Sequence, residues 1–354
     1  MTAGTFDELG GWSGILGSLT DRSDLDRGVA HAAMAEILDG NATPAQIAGF
    51  MIALRMKGET VEELTGLVTA MIDRSTPVHL ADPDSVIDIV GTGGDRSNSI
   101  NVSSLAALTV VGAGGRVCKH GNRAASSACG TADLLEALGV AFDLGPEGVA
   151  RCVDKVDLGF CFAPRFHGAM RHAGPPRREL GVPTVFNFLG PLANPARVRR
   201  QVTGVSDGAM ANRMVEVLAA NGAERALVVY GHDGLDELTI TTTSTVHELR
   251  EGEVRTYEVD PRELGMSGGT LDDLRGGDAT RNAALAREVL AGEPGPRSDI
   301  VVLNAAAGLV VAGIVDEIPE GIEAARSSLT EGRAAAALEA LVKESQAAKA
   351  AEGV

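Results

Sequence analysis

The chain has 354 residues, 44% of them hydrophobic, which is enough for one large domain or two smaller ones with a substantial core. Its formal net charge of −17 argues against nonspecific binding to nucleic acids or membranes, because those partners select a basic face. The longest uncharged run, residues 300–315, is too short to span a bilayer, and no signal peptide is apparent. Four cysteines without a C-x-x-C pair favour reduced thiols in a cytoplasmic protein.

Residues 12–73 carry a helical pattern of apolar positions, which predicts three or four short helices. Thr43-Pro44 is a typical helix start, and Thr60 with Glu63 fits a capping box. Apolar residues follow both caps at helical spacing: Ile47, Phe50, Met51, Leu54 and Met56, then Leu64, Leu67, Val68 and Met71. Because no charged constellation suggests chemistry here, the pattern predicts a small, mainly helical domain over residues 1–77.

The remaining residues, 78–354, predict an α/β domain with a mostly parallel central sheet flanked by helices. The predicted strands, which alternate with helical segments, are 86–90, 115–118, 158–162, 183–186, 202–205, 226–230 and 300–303. Residues 239–259 change to a Thr-rich alternation around Glu251-Gly252, which predicts an antiparallel hairpin. An Ala-rich helix over 329–350 is expected to close the chain.

A glycine-rich loop, residues 91–95, follows the first predicted strand. Glycine permits positive φ and close approach of the backbone to a ligand. Residues 101–104 then bring amide and hydroxyl groups to the start of an apolar helical run, where free N–H groups favour an anion. The stretch therefore predicts a phosphate or diphosphate site. An ordinary strand-to-helix turn is the alternative at this point, since the loop matches neither the Walker nor the Rossmann pattern.

A second strand-to-loop unit follows the predicted strand 115–118. Residues 119–127 place two cations and two hydroxyl groups ahead of a helix that begins near Thr131. Both loops are expected at the carboxyl ends of strands, where open α/β sheets bind their ligands. From this stretch alone, a solvated surface loop is the alternative.

Together the two loops resemble the anthranilate phosphoribosyltransferases, which share a fold class with the pyrimidine nucleoside phosphorylases. Residues 162–181, 187–196 and 232–238 agree with the same family. The resemblance implies a Mg²⁺-dependent glycosyltransferase that moves the phosphoribosyl group from phosphoribosyl diphosphate to the amine of anthranilate, the second step of tryptophan biosynthesis from chorismate. It also implies a homodimer built through the helical domain, which helices from about 163–182 are expected to complete.

The donor site implied by the resemblance draws on both loops. Its residues are Gly91, Gly94, Asp95, Ser99, Asn101, Val102, Ser103 and Ser104 from the first loop, and Lys119, His120, Gly121, Asn122, Arg123, Ala124, Ala125, Ser126, Ser127 and Thr131 from the second. Asp95 is expected to accept ribose hydroxyl or loop N–H groups, or only to cap the loop. Arg96 stands where the family usually has a small residue, and it either adds positive charge or points outward.

The acceptor and metal sites implied by the resemblance use fewer residues. Gly91, Asn122 and Arg177 are the expected anthranilate contacts, and a planar guanidinium suits a carboxylate. The expected Mg²⁺ ligands are Ser103, Asp236 and Glu237, since hard carboxylates suit that ion. By contrast, the second acidic pair, residues 272–273, lacks the family context and is interpreted as a helix start or surface pair.

No catalytic side chain is expected beyond metal and phosphate-binding groups, because the aromatic amine is already neutral and needs positioning more than deprotonation. His120 is either a general base or a neutral lining of the acceptor channel. Four further basic residues either guide the anionic acceptor or have a structural role: Arg165, His167, His172 and Arg178.

Two other functions compete with this interpretation. A pyrimidine nucleoside phosphorylase of the same fold would bind inorganic phosphate and a nucleoside, and it need not use the pair Asp236-Glu237. A nonenzymatic relative that binds nucleic acid would need a basic groove, which the net charge of −17 disfavours.

Overall fold

The computed structural model of the chain describes residues 6–95, 97–124 and 127–353. Its N-terminal part is a bundle of helices, in which α1 contacts α3 and α2 contacts α4. The bounds are α1 Gly11–Thr20, α2 Arg27–Leu38, α3 Pro44–Lys57 and α4 Val61–Asp73. The expectation of three or four short helices over residues 12–73 is confirmed.

Both helix starts that the sequence predicted have capping boxes. The Gln46 N–H donates to the Thr43 hydroxyl (3.3 Å), and the Glu63 N–H donates to the Thr60 hydroxyl (3.2 Å). The predicted apolar stripes are buried, with one exception: Met56 is 70% exposed. Met56 stands two positions after Leu54, which turns it to the opposite side of α3, so its inclusion in the stripe was wrong.

The rest of the chain alternates strands and helices. The strands are β1 Val86–Gly91, β2 Arg116–Gly121, β3 Leu158–Phe162, β4 Arg200–Gly204, β5 Arg225–Gly231, β6 Ser244–Arg250 and β7 Glu253–Val259. The helices are α5 Val102–Gly112, α6 Thr131–Ala137, α7 Pro146–Val156, α8 Ala163–Phe166, α9 Gly174–Leu180, α10 Phe186–Leu189, α11 Gly208–Ala220, α12 Ala279–Leu290, α13 Pro296–Ala312, α14 Ile318–Thr330 and α15 Arg333–Glu352. Short 3₁₀ turns lie at Pro83–Ser85, Gly168–His172 and Gly190–Leu192.

The strands form one sheet in the order β3-β2-β1-β4-β5-β6-β7. The first five strands in this order are parallel, and β5-β6 and β6-β7 pair antiparallel. The predicted fold class, a mostly parallel sheet flanked by helices beside a helical N-terminal domain, is therefore confirmed. The predicted hairpin is β6-β7, with Glu251 (φ 56) and Gly252 (φ 81) in its turn.

One edge of the sheet is formed by β7, which pairs with β6 alone. Most of its side chains are exposed, and several are charged, among them Glu253, Arg255 and Glu258. The other strands lie deeper, and β1 is almost wholly buried.

Two of the predicted strands, residues 183–186 and 300–303, are not strands in the structure, so both predictions were wrong. Residues 300–303 lie inside α13, which is buried on nearly all sides, and a short apolar run cannot distinguish a buried strand from a buried helix. The signals for a helix were Pro296 in its first turn and Gly313 (φ 76) just after its end. Residues 183–186 lead into α10, where the Asn187 side chain accepts the Thr184 N–H (3.0 Å) and starts a turn.

Two boundaries also differ from the prediction. Strand β2 runs on to Gly121, so Lys119 and His120 belong to the strand instead of the loop that follows. The closing helix is divided, because Gly332 (φ 74) separates α14 from α15.

Two apolar cores support these layers. One lies between the sheet and the helices from α5 to α7 and α12 to α15, and the other joins the N-terminal bundle to α11 and to side chains near α9 and α10. In this second core, Ala173, Phe186 and Leu189 pack with residues of the bundle. The chain segment around 173–189 is thereby fixed against the N-terminal helices.

Candidate active site

The candidate site lies at the carboxyl ends of the parallel strands, where β1 is flanked by β2 on one side and β4 on the other. The chain order of the strands reverses here, and open α/β sheets bind ligands at such switch points. Both predicted loops leave the sheet at this edge, the first after Gly91 and the second after Gly121. The expectation that the two loops follow the carboxyl ends of strands is confirmed.

Two features of the first loop require glycine: the close approach of Asp236 to the backbone and the positive φ of two residues. A side chain on Gly91 would place its Cβ 2.5 Å from Oδ2 of Asp236, and Gly93 and Gly94 have φ of 67° and 87°. The Gly93 N–H donates to that same Asp236 oxygen (2.7 Å), and the Thr92 N–H donates to the Gly204 carbonyl (2.9 Å). The loop is thus drawn against the acidic doublet that the sequence predicted as a metal site.

The Asp95 side chain forms hydrogen bonds within its own loop. Its carboxylate accepts the backbone N–H (3.2 Å) and the hydroxyl (2.7 Å) of Ser97, which corresponds to the loop-capping alternative. Ser99 forms an isolated antiparallel bridge with Arg275, and the Ile100 N–H donates to the Leu274 carbonyl (2.9 Å). The segment around 274–276 therefore holds the loop from outside. Arg96 lies outside the described residues.

The start of α5 joins the two loops. The Asn101 side chain donates to the Cys129 carbonyl (3.1 Å), and the Ser104 hydroxyl donates to that of Thr131 (3.3 Å). Val102 is buried in the main core, so only its backbone is available to a ligand. The predicted donor residues of the first loop are therefore tied to the second loop directly.

The acidic doublet Asp236-Glu237 contacts both the first loop and α5. Besides the Gly93 contact of Asp236, Glu237 accepts the N–H of Ser103 (3.1 Å) at the start of α5. Burial and the charge of Asp95 raise the pKa of Asp236 to about 7, and burial and Asp236 raise the pKa of Glu237 well above its usual value. The negative charges of these carboxylates repel one another because little water screens them. Binding of a cation beside the doublet is therefore favourable.

Lys119 is a buried cation whose pKa is affected by the charges of that doublet. Its ammonium donates to the Ser103 hydroxyl (3.1 Å) and to the Ile89 carbonyl. Burial lowers the pKa of Lys119, while Asp88, Glu237 and Asp236 oppose the shift. A buried lysine surrounded by carboxylates suits a site that receives phosphate together with a divalent metal.

Asp88 is a member of this network that sequence reasoning missed. It is wholly buried in β1, and its carboxylate accepts the His120 N–H (3.1 Å) and the Asn194 side-chain N–H (2.8 Å). Burial raises the pKa of Asp88 to about 6, against the pull of Lys119. The available signal was a single carboxylate in the otherwise apolar run Val86–Val90, since such a group requires buried partners.

The second loop departs in part from the expected arrangement. Arg123 pairs with Asp133 (2.5 Å) and Glu136 (3.0 Å) on α6, and its guanidinium lies 4.8 Å from the centre of the Phe142 ring. The Asp133 carboxylate also accepts the N–H groups of Ala124 (3.0 Å) and Gly130 (2.9 Å).

The other predicted residues of this loop lie around its tip. Asn122 and Ser127 are exposed, the Asn122 side chain accepts the Arg123 N–H (2.7 Å), and the Ser127 hydroxyl is 3.5 Å from the Cys129 carbonyl. Gly121 ends β2 against the Phe160 ring. Ala125 and Ser126 lie outside the described residues.

His120 and His167 form a buried pair with ring centres 5.1 Å apart. Burial lowers the pKa of His120 to about 3 and that of His167 to about 4, so both are neutral at physiological pH. The Nδ1 of His120 donates to the Gly190 carbonyl (3.1 Å), because that oxygen can only accept, which leaves Nε2 as an acceptor. This Nε2 is buried and has no partner among the described residues.

Arg177 is a partly buried cation in α9. Burial lowers its pKa, and its guanidinium lies 5.6 Å from the centre of the Phe186 ring. No carboxylate of the described residues pairs with it, and no hydrogen bond joins it to Gly91 or Asn122 there. Arg165, in contrast, pairs with Asp143 (3.4 Å) and lies 3.7 Å from Glu352, which favours a structural role for it.

Among the described residues, no group of three or more His, Cys, Asp or Glu side chains converges to hold a metal alone. A metal at Asp236-Glu237 would need oxygen ligands from a substrate or from water, which is typical of Mg²⁺. Within the same part of the chain, no helix is both long and apolar enough to cross a membrane.

Comparisons with known proteins agree with this architecture. A family model described as the glycosyl transferase family, helical bundle domain, matches residues 13–75, and one described as the glycosyl transferase family, a/b domain, matches residues 83–335. The chain therefore belongs to the glycosyl transferase family that combines a helical bundle with an α/β domain, and it is an enzyme of the pentosyl-transferring kind.

Individual relatives give the particular family. The anthranilate phosphoribosyltransferase of Rhodococcus jostii (strain RHA1) is 54% identical over 333 residues, covering 92% of this chain and 91% of that protein. The crystal structure of the Thermus thermophilus enzyme of the same name has 41% identity and a TM-score of 0.89, covering 94% of this chain and 99% of that one. The Saccharomyces cerevisiae enzyme, solved in complex with PRPP (phosphoribosyl diphosphate) and Mg, has 28% identity and a TM-score of 0.83, covering 98% and 100%. The chain belongs to the anthranilate phosphoribosyltransferases.

Proposed function

We propose that this chain transfers the 5-phosphoribosyl group from phosphoribosyl diphosphate to the amine of anthranilate, giving N-(5-phosphoribosyl)anthranilate and diphosphate. The observation that carries the proposal is that the first loop, the start of α5 and strand β2 meet at the acidic doublet. Asp236 accepts the N–H of Gly93 in the first loop, Glu237 accepts the N–H of Ser103 at the start of α5, and Lys119 of β2 donates to Ser103. A sugar diphosphate at this junction meets backbone donors, a cation and the acidic doublet together.

The donor residues named from both loops are assigned to phosphoribosyl diphosphate. Glycine N–H groups and the start of α5 bind phosphate oxygens, and Lys119 adds a positive charge. Arg123 reaches the donor only after leaving its ion pairs with Asp133 and Glu136. That exchange costs little, because solvent screens ion pairs at the surface.

Asp236 and Glu237, with the hydroxyl of Ser103, are assigned to Mg²⁺. The donor set fits this ion, because it consists of oxygens only and burial raises the pKa of both carboxylates, with the charge of Asp236 adding to the rise at Glu237. The magnesium in the yeast relative's complex with PRPP supports the assignment. When bound, Mg²⁺ supplies positive charge that stabilises the departing diphosphate.

The reaction breaks the bond between C1 of the ribose and the diphosphate oxygen and forms a bond from C1 to the anthranilate nitrogen, which then loses one proton to solvent. Positive charge develops on the ribose while negative charge moves to the leaving group, where Lys119 and backbone N–H groups stabilise it. The amine is neutral before reaction, so the site has to position it and needs no strong base. The neutral state of His120 agrees with a role in lining the acceptor channel.

Arg177, Asn122 and Gly91 are assigned to anthranilate. The support for Arg177 is its partly buried guanidinium without a carboxylate partner among the described residues, which a substrate carboxylate would provide. The buried ring of Phe186 beside it keeps the surroundings of the guanidinium apolar.

For the whole chain we propose residues 1–77 as the helical domain, completed by helices from about 163–182, and residues 78–354 as the α/β domain. The packing of Ala173 and Phe186 with the N-terminal helices supports this division. We also propose a cytoplasmic homodimer built through the helical domain. The exposed apolar side chains of Met56 and Val182 near that domain favour it.

The decisive experiment follows the intrinsic fluorescence of anthranilate. With purified protein and Mg²⁺, the fluorescence should fall only after phosphoribosyl diphosphate is added. Replacing the doublet, Asp236→Asn with Glu237→Gln, should lower turnover by roughly 10²–10³-fold, as for the loss of a major electrostatic stabiliser.

The chain contains a matched control in Asp316-Glu317, the same dipeptide at an exposed position before α14. Asp316→Asn with Glu317→Gln should leave turnover within about twofold of the wild type, on the order expected for a surface change. Unchanged turnover and Mg²⁺ dependence in the Asp236-Glu237 variant would refute the metal assignment, and no loss of fluorescence with the wild type would refute the reaction.

A further inference from the structure

Asn304 is a wholly buried polar residue in the middle of α13, a helix whose neighbouring side chains are almost all apolar. Its side-chain amide pairs with the backbone of Leu238 on both edges: Nδ2 donates to the Leu238 carbonyl (2.8 Å), and Oδ1 accepts the Leu238 N–H (3.0 Å). Nδ2 also donates to the Ile300 carbonyl one turn earlier (2.9 Å). The amide therefore uses both of its N–H groups and its oxygen.

Leu238 directly follows Asp236-Glu237, so this contact determines where the acidic doublet can stand. On the other side of the doublet, a Cβ on Gly204 would overlap the Asp236 carbonyl oxygen, which shows how closely β4 approaches. The backbone of residues 236–238 thus lies between β4 and α13. The carboxylates extend from it to Gly93 and Ser103.

We propose that Asn304 is a positioning residue, which holds the backbone of Leu238 so that Asp236 and Glu237 present their carboxylates to the metal and the first loop. The inference rests on the proposed function, because it takes the doublet as the Mg²⁺ site. The contact requires an amide: an aspartate at this position would accept the Leu238 N–H but would face two carbonyl oxygens, and a serine is too short to reach both groups. Residues that orient metal ligands in this way commonly change metal affinity by about 10–100-fold when replaced.

The test compares Asn304→Ala and Asn304→Ser with the wild type in the full chain. Both variants should raise the Mg²⁺ concentration that gives half-maximal turnover by about tenfold or more. The Michaelis constant for anthranilate should change much less, because the carboxylate of the acceptor is assigned to Arg177 and not to the doublet. Asn304→Ser is included because Asn304→Ala leaves two buried backbone groups without partners and can unfold the chain.

A second measurement does not depend on activity. Hydrogen exchange of the Leu238 amide, measured without metal or substrate, should become about tenfold faster in the folded variants, the factor expected for the loss of one hydrogen bond. The matched control is Ser345→Ala: Ser345 is buried on α15 and accepts the N–H of Ala141 (3.1 Å) from a loop, away from the doublet. This control should leave both the Mg²⁺ requirement and the Leu238 exchange as in the wild type.

The outcomes separate the two proposals. A folded Asn304 variant with wild-type Mg²⁺ requirement and wild-type Leu238 exchange would overturn the positioning role. An equal change in the Ser345→Ala control would overturn it as well, since general loosening would then explain both. Wild-type protein without any Mg²⁺-dependent reaction would contradict the proposed function instead, and the exchange at Leu238 would still report on the contact.

Discussion

Arg177 is the residue to which we assign recognition of the acceptor. Its guanidinium is partly buried beside the Phe186 ring, and burial lowers its pKa because no described carboxylate compensates its charge. An arginine in this state lacks a compensating anion, and we propose that the substrate carboxylate provides it.

Arg177→Ala should raise the Michaelis constant for anthranilate by roughly 10–100-fold, the equivalent of the roughly 1.5–3 kcal/mol typical of a hydrogen bond to a charged group. The Michaelis constant for phosphoribosyl diphosphate should change little, because we assign that substrate to the two loops. Steady-state kinetics with each substrate varied in turn measure both constants.

The neighbouring Arg178 is exposed and serves as the control, since Arg178→Ala removes the same charge from the same helix. This variant should leave the constant for anthranilate near that of the wild type. An equal rise in both Michaelis constants after Arg177→Ala would remove Arg177 from the acceptor site.

At the scale of single residues, the sequence predicted the charged groups of the site better than the buried residues that hold them in place. Lys119, Asp236 and Glu237 were found from their motifs, and the structure brings all three together at Ser103 or Gly93. Asp88 and Asn304 were not found, because each acts on backbone or buried groups far away in the chain. A contact between residues far apart in the chain has no local sequence motif. The only signal of such a residue is a polar side chain within an apolar run.

Strand β4 limits the space available to the acidic doublet. It pairs with β1 and β5, and it ends at Gly204, whose missing side chain lets the Asp236 carbonyl approach the strand directly. The element therefore sets the distance between the sheet and the doublet.

Gly204→Ala should push the doublet away from the strand. The free energy of unfolding should fall by about 1–3 kcal/mol, as for an overpacked core, and turnover should fall by roughly 10²-fold, as for misplaced catalytic groups. Urea unfolding and the steady-state rate at saturating Mg²⁺ measure the two effects.

Gly17 provides the comparison, because it is exposed in α1 and a Cβ added to it would meet no other atom within 4 Å among the described residues. Gly17→Ala should be neutral or stabilise the chain by about 0.5–1 kcal/mol, since alanine is the better helix former. A Gly204→Ala protein with the stability and turnover of the wild type would show that the doublet does not depend on β4.

At the scale of elements, strands with clear boundaries were predicted well, and β1 and β3 lie where the sequence placed them. The errors fell on short apolar runs. The apolar sequence of residues 300–303 fits a buried strand as well as the buried helix α13. A helix buried on all sides is apolar all round, so its sequence lacks the 3.6-residue alternation of apolar and polar positions. Strand β2 was predicted too short, since Lys119 is typical of a loop residue unless the carboxylates around it are known.

The stability of the whole molecule should depend on its buried histidines. In the folded chain the pKa of His167 is about 4, whereas an unfolded histidine has a pKa of about 6.5. Below a pH of about 6.5 the unfolded chain therefore binds a proton that the folded chain does not, and stability is lost as the pH falls from there toward about 4. Asp88, with a raised pKa of about 6, has the opposite effect on the pH dependence of stability. The contribution of His167 is therefore best measured as the difference between the wild type and a variant without this histidine.

His167→Gln keeps an N–H donor for the Ala193 carbonyl and removes the titrating group. Between about pH 7.5 and pH 5, the wild type should lose about 2 kcal/mol of unfolding free energy relative to this variant. Urea unfolding at the two pH values measures the difference. His79→Gln, at an exposed position, should follow the wild type, and an identical pH dependence in all three proteins would contradict the linkage.

The outer strand β7 also has a consequence for the whole molecule. A free strand edge invites another chain to extend the sheet, but a neighbour aligned with β7 would have to strip water from Glu253, Arg255 and Glu258. The charges therefore disfavour pairing of this edge with a strand of another copy. Association between copies is therefore favoured on other faces of the molecule, away from this strand.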